Sequence, residues 1–310
     1  MYIFGIDVGG TSVKLGIFSE NRFLLEKWSI KTNPDRIFYD ISNSINEYCS
    51  KKYINKKDII AYGIGIPGQI KNNIAINCVN LGWKNVDVVK EFKETLKTDA
   101  EVFVANDANL AAYGEYTILE ENYDSVVLMT LGTGVGGGVI CNKIIQEGND
   151  GIAGEIGHLK IDNEFNFTCC CGKKGCLETV SSARGILNVA NYLVDKYNYP
   201  KERKCDTTKS VINLARWNDT VAVEALDIAC KNLAKAMANI ALIIDPNAFI
   251  IGGGVSEAGD ILIERIKKHY ASECFANFKN VDVKLSKLKN DAGIYGGAAL
   301  AINKIKGVYR

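Results

Sequence analysis

Tyr2-Ile3-Phe4-Gly5-Ile6-Asp7-Val8-Gly9-Gly10-Thr11-Ser12-Val13-Lys14-Leu15-Gly16-Ile17-Phe18 consists of two β-rich runs joined by Gly9-Gly10-Thr11. A strand that ends in an acid, turns on glycines and returns as a second strand is a hairpin whose backbone N–H groups can face an anion. It is not a P-loop, which needs a helix after the glycines. Asp7 falls at the strand end, placed to hold a hydrated Mg2+, with Thr11 and Lys14 near phosphates. The alternative is an ordinary hairpin in which Asp7 is a turn-former. The same device returns downstream, where a strand from Ser125 to Leu131 runs into Gly132-Thr133-Gly134 and then Val139-Ile140-Cys141. Two copies predict two related α/β domains facing each other, each offering backbone amides to the phosphates of one nucleotide.

Between the two hairpins the pattern alternates strand with helix, which makes the domain mixed α/β. Phe23 to Trp28 extends the first meander, a helical spacing follows from Pro34 to Cys49, and Ile59 to Ile66 is a buried strand closed by Pro67-Gly68. Asn80 to Val86 reads as a loop leading to a helix through Leu96. Val102 to Ala105 is a short strand that meets Asn106-Asp107-Ala108-Asn109 and then a helical run, Leu110 to Glu120. Asn106 or Asp107 can cap that helix. Alternatively, the strand end delivers Asp107 into the crevice where ligands of open α/β sheets bind, and an acid there can accept a hydroxyl proton. Later come helices at 179–197, 209–217 and 220–244, a strand entering Gly252-Gly253-Gly254, a helix at 261–270, a strand at 281–285 and a helix at 296–304. The triple glycine lets backbone approach a flat ligand such as an adenine.

The densest chemistry lies from Ala153 to Glu178. Gly154-Glu155-Ile156-Gly157-His158 is followed by Cys169-Cys170-Cys171-Gly172-Lys173-Lys174-Gly175-Cys176-Leu177-Glu178. His158, Cys169, Cys171 and Cys176 make a Cys3His set suited to tetrahedral structural Zn2+. Glycines 172 and 175 allow the turn that brings Cys176 back to Cys171. A disulfide and a group of small buried hydrophobes are the competing readings. Cys170 is the spare and is expected to point away. A closed metal site here would hold Glu155 and Glu178 near a substrate, as a clamp rather than a Lewis acid.

The 310 residues carry a net charge of +1, which gives no electrostatic argument for a nucleic-acid or membrane partner. The other six cysteines are scattered singly, a distribution that fits a reducing cytoplasm with one metal site. No secretory leader pattern precedes the first strand, and apolar runs stay well below the roughly 20 residues of a membrane span.

Taken in order, Asp7-x-Gly9-Gly10-Thr11-x-x-Lys14, Leu131-Gly132-Thr133-Gly134, Gly154-Glu155-Ile156-Gly157-His158 with Cys169-x-Cys171-Gly172-x-x-Gly175-Cys176-x-Glu178, and Ile251-Gly252-Gly253-Gly254 together resemble the ROK family of sugar kinases and related repressors. The match spans essentially the whole chain. Asn80 to Val86 and Asn290-Asp291-Ala292-Gly293-Ile294 are similar to the bacterial glucokinase branch. The resemblance implies an actin-like ATPase (ribonuclease H-like) fold of two α/β lobes with a cleft between them. We place the lobes at 1–118, rejoined by 294–310, and at 119–293. It implies ATP, Mg2+ and a structural Zn2+ as cofactors. Asp107 matches the catalytic base, and Asn106, Asp107, Glu155, His158, Glu178 and Gly68 match residues that hold sugar hydroxyls. Asp7, Gly9, Gly10, Thr11, Lys14, Gly132, Thr133, Gly134, Gly253 and Gly254 fall to the nucleotide. Ala105 departs from the pattern, since many members carry Glu there. The expected reaction is phosphorylation of the 6-hydroxyl of glucose, with N-acetylmannosamine, N-acetylglucosamine and fructose as alternative substrates. A homodimer is the family expectation. A sugar-responsive repressor would need a helix-turn-helix ahead of the first hairpin, and none is seen in the sequence.

Overall fold

Alternating and fully apolar runs at the amino terminus form strands because both of their faces find helices to cover them. The structure, a computed structural model, describes residues 1–161, 164–275 and 280–308. Residues 162–163 and 276–279 of the expected large lobe, and 309–310 at the end of the expected return, lie outside the described residues.

The first sheet contains β1 (Tyr2–Val8), β2 (Ser12–Ser19) and β3 (Leu24–Lys31) as an antiparallel meander. Helix α1 (Ile37–Lys51) then leads to β4 (Ile59–Ile66), which pairs parallel to β1. A separate three-stranded sheet follows, β5 (Gln69–Lys71), β6 (Ile74–Cys78) and β7 (Trp83–Asp87). The loop expected at 80–86 is therefore partly a strand. These strands are short and are separated by Asn72, Asn73 and Asn80, so turn signals dominate the sequence around the paired backbone. After α2 (Val88–Leu96) comes β8 (Glu101–Asn106), completing the order β3-β2-β1-β4-β8. Helix α3 (Asp107–Thr117) follows at once, three residues ahead of the expected start.

The second sheet repeats this plan. The hairpin of β9 (Val126–Leu131) and β10 (Val135–Cys141) is extended by β11 (Ile144–Ile145). Short α4 (Glu178–Ser181), then α5 (Ala183–Lys196), α6 (Thr208–Arg216) and α7 (Thr220–Ile244) precede β12 (Ala248–Gly252), which pairs parallel to β9. Helix α8 (Asp260–Glu273) leads to β13 (Asp282–Leu285), giving the order β11-β10-β9-β12-β13. Each sheet is thus an antiparallel hairpin meander with two parallel strands added on the other side, as the two glycine hairpins predict. The helix expected over 179–197 breaks at Ser182, whose extended backbone and side-chain bond to the Gly185 N–H start α5 afresh. Among the described residues no helix is long and apolar enough to cross a membrane.

Helix α9 (Ala292–Ile305) returns to the first sheet and packs on β1 and β4 on one side and α3 on the other. The fit needs glycine on both partners. A Cβ on Gly63 would lie 1.9 Å from the Gly297 carbonyl oxygen, and one on Gly296 would lie 1.8 Å from that of Leu110. The opposite face of the first sheet buries Phe4, Ile6, Tyr62 and Ile64 against Ile41 and Ile45 of α1 and Phe92 of α2. At about 1.5–3 kcal/mol for each fully buried large side chain, these faces hold rigid the strand ends that carry the site.

Candidate active site

Both sheets present residues that follow their parallel and hairpin strands to a common line of three cavities. The first, about 360 Å³, is lined by Gly132 and Thr133 of the β9–β10 turn, Ala183 of α5, Ile212, Asn213 and Arg216 of α6, and Gly254 and Val255 beyond β12. Apolar walls with a polar rim suit a flat heterocycle. Here Ala183 N–H donates to the Gly132 carbonyl at 2.8 Å, which fixes α5 against the glycine turn. The Arg216 guanidinium donates to the Ala258 carbonyl at 2.8 Å.

The second cavity, about 260 Å³, is polar and lies beside the first, sharing Gly254 and Glu257 with it. Asp7, Lys14, Asp107, Gly253, Lys289 and Asn290 line it. Lys14 Nζ lies 3.7 Å from an Asp7 carboxylate oxygen and donates to the Asn290 carbonyl at 2.6 Å. Burial pushes the Asp7 carboxyl up, and Lys14 opposes the rise. A pair of carboxylates with a lysine and glycine backbone fits a hydrated divalent cation and the phosphates it accompanies. The loop 286–291 on this wall is held from behind by Glu115 of α3, which is only 1% exposed. Its carboxylate accepts from the Ser286 hydroxyl, from Lys287 N–H at 3.0 Å and from Leu288 N–H at 2.9 Å.

The third cavity, about 430 Å³, gathers Gly68, Asn106, Asp107, Glu155, His158 and Glu178, with Gly134 and Gly253. All six residues expected to face a sugar therefore share one cavity. Asn106 is the cap of α3, accepting from Asn109 N–H at 3.1 Å, and its amide donates to the Gly68 carbonyl at 2.9 Å. With capping done by Asn106, the Asp107 side chain sits at the first helical position on the wall shared with the phosphate-like cavity. It accepts from Ala108 N–H at 2.8 Å. Burial, and then the charge of Asp7, raise its pKa from 3.8 to about 6. The small sheet closes this end. The Gln69 amide donates to the Asp150 carbonyl at 2.5 Å, and Lys71 pairs with the Asp150 carboxylate, tying it to the loop that leads to Glu155.

Gly9, Gly10 and Thr11 line none of these three cavities. The Gly9 N–H is committed to the Ser12 carbonyl at 3.0 Å, so the first turn closes partly on itself.

Beneath the third cavity His158 Nδ1 lies 3.4 Å from Cys169 Sγ, and the Cys171 and Cys176 sulfurs are 3.7 Å apart. All four donor atoms fall within 4.8 Å of one another. A tetrahedral Zn2+ with bonds of about 2.0–2.3 Å needs donor spacings of about 3.5–3.8 Å, so the set fits. Positive φ at Gly172 and Gly175 makes the return turn. The Lys173 backbone N–H lowers the Cys171 thiol to about 7, and all ten cysteines are free thiols. Cys170 departs from expectation. Although exposed, its thiol donates to Glu178 Oε1 at 3.0 Å, alongside Cys169 at 2.8 Å. Burial raises the Glu178 carboxyl, but these two thiols and His158 outweigh it and leave it lowered.

Sequence reading missed the α6 wall of the first cavity, Glu115 and the small sheet. None carries a glycine or ligand signature of its own; only the periodicity of α6 was visible.

A family model described as the ROK family matches residues 3–304. A glucokinase from Halalkalibacterium halodurans is 36% identical, covering 96% of this chain and 93% of its own. One from Thermotoga maritima is 33% identical, covering 98% of each. Among solved structures, that of a ROK family glucokinase from Streptomyces griseus in complex with glucose and AMPPNP superposes with a TM-score of 0.74 at 27% identity, covering 97% of this chain and 99% of that one. The likeness establishes the two-lobed, actin-like ATPase fold.

Proposed function

The chain belongs to the ROK family, and from that premise we propose that it is an ATP-dependent hexose kinase, a glucokinase, transferring the γ-phosphoryl group of Mg-ATP to the 6-hydroxyl of glucose. The carrying observation is the placement of Asp107 on the wall common to the polar cavity and the sugar-sized one. The base of ATP takes the first cavity, its phosphates the second and the hexose the third.

Phosphoryl transfer asks the protein mainly for positioning and charge neutralisation. Asn106, Glu155, His158 and Glu178 orient the hexose by its hydroxyls, and the Gly68 carbonyl, fixed by Asn106, completes that wall. Asp107 accepts the 6-hydroxyl proton as the oxygen attacks phosphorus. With a pKa of about 6 it is largely ionised at neutral pH yet close enough to that pH to be an effective base. Lys14 and the backbone of Gly253 and Gly254 face the phosphates. Asp7 would hold a hydrated Mg2+, which would supply charge neutralisation for the phosphates. Products are ADP and glucose 6-phosphate, with the proton left on Asp107 until solvent takes it.

In this reading Zn2+ on His158, Cys169, Cys171 and Cys176 is a brace. His158 would hold the metal through Nδ1, the nitrogen that faces Cys169, which would leave Nε2 protonated and free to donate to the sugar. The lobes, 1–118 with 294–310 and 119–293, close over both substrates and exclude water. We further propose a cytoplasmic homodimer with no nucleic-acid partner. An ATP-consumption assay over glucose, fructose, N-acetylglucosamine and N-acetylmannosamine tests the substrate. Glucose should give the highest kcat/KM, and a higher value for an N-acetyl sugar overturns the choice.

A further inference from the structure

The cluster under the sugar cavity holds one thiol more than the brace needs. Cys169 and Cys170 sulfurs are 3.9 Å apart, and both contact Glu178 Oε1, at 2.8 and 3.0 Å. The three donor atoms lie within 4.8 Å of one another, a second constellation beside the Cys3His set that shares Cys169 with it. A tetrahedral zinc with Zn–S bonds of about 2.3 Å has sulfur–sulfur edges of about 3.8 Å, close to the observed spacing, whereas the Glu178 oxygen, now at hydrogen-bond distance from both sulfurs, has to draw back to about 3.5 Å as the thiol protons leave. Two sulfurs and one carboxylate oxygen select a soft cation over Mg2+ and leave one position for water. Cys170 is exposed, so the entry path is open to solvent.

Glu178 makes this pair of thiols consequential. One oxygen, Oε1, faces the sulfurs. The other, Oε2, lies against Gly134 in the sugar cavity, where a Cβ on that glycine would come within 2.6 Å of it. A cation on Oε1 takes up the charge of the carboxylate and fixes its plane, and the same group then cannot accept freely from a sugar hydroxyl.

We propose that Cys169, Cys170 and Glu178 form a second, inhibitory site for a thiophilic divalent cation such as Zn2+, occupied in competition with the sugar. Binding releases the Cys170 proton to solvent, and Cys169 bridges the brace and the second cation. The competition with sugar rests on the hexose kinase reading; the cation site itself does not.

The test is equilibrium dialysis of the full-length protein against buffered free Zn2+, with bound metal counted per chain, beside kinase assays in the same buffers. Wild type should take up one more zinc than Cys170→Ser, which keeps a hydroxyl donor for Glu178 but offers no soft ligand. Saturating glucose should weaken that extra zinc at least tenfold, and free Zn2+ should raise KM for glucose in wild type but not in Cys170→Ser, with KM for ATP little changed. Equal zinc content in the two proteins overturns the site, and an extra zinc indifferent to glucose overturns the competition. Absence of sugar phosphorylation in zinc-poor buffer counts against the kinase reading, while the difference in zinc content still decides the site.

Discussion

Asp107→Asn should impair the enzyme and stabilise the protein. The Asp107 carboxyl titrates at about 6 instead of 3.8, chiefly because it is buried. A raised acid binds its proton more tightly in the folded state. Wild-type stability therefore falls as pH rises from about 4 to about 6 and stays lowered above that. At about 1.4 kcal/mol per pH unit the ionised carboxylate costs about 3 kcal/mol at pH 7, and partial exposure brings this to about 1–3. Asparagine keeps the acceptor for Ala108 N–H and removes the charge. Thermal melts at pH 7 should show the variant about 2–5 °C more stable, with the advantage gone below about pH 4. Turnover at saturating glucose and ATP should fall at least ~10²-fold through loss of the general base. A variant less stable than wild type at pH 7, or one keeping half its turnover, refutes the account of Asp107 as a base held at energetic cost.

Further predictions follow from other contacts. The pH profile of kcat/KM for glucose should show an acid limb near 6, losing about tenfold between pH 7 and 5, and Asp7→Asn should move that limb lower because Asp7's charge is one cause of the rise; a limb near 4 in wild type contradicts it. Glu115→Ala removes the acceptor of three hydrogen bonds in the 286–291 loop, so it should cost about 2–4 kcal/mol by denaturant melts and raise KM for ATP more than KM for glucose. Gly63→Ala drives a methyl into the Gly297 carbonyl and should destabilise by at least about 2–3 kcal/mol, measured the same way. Cys176→Ser should lose the brace metal, counted by atomic absorption, and raise KM for glucose well before it affects KM for ATP.

Much of this architecture is visible in the chain itself because glycines and acids at strand ends are local signals. The two hairpins announce the two sheets, the 59–66 strand and the 220–244 helix have the bounds expected, and Asp107 stands where a strand meets a helix. What stays hidden is non-local. Glu115 looks like any helical glutamate until β13 brings 286–291 to it, and the α6 wall of the first cavity carries only a helical period. The β5–β7 sheet is written in short strands separated by Asn72, Asn73 and Asn80, which read as turns, and Cys170 meets Glu178 only through the fold of 169–178.

The crossing of α9 over Gly5, Gly63 and Gly114 bears on the order in which the protein is made. The amino-terminal strands emerge from the ribosome long before the helix that covers them, so one face of the first sheet and the flank of α3 wait uncovered through most of synthesis. The helix that begins with Asp107 gains its last support only when 292–305 has been translated. A nascent chain stopped before that point has every residue proposed for the chemistry, but the helix that carries Asp107 lacks the partner it packs on most extensively.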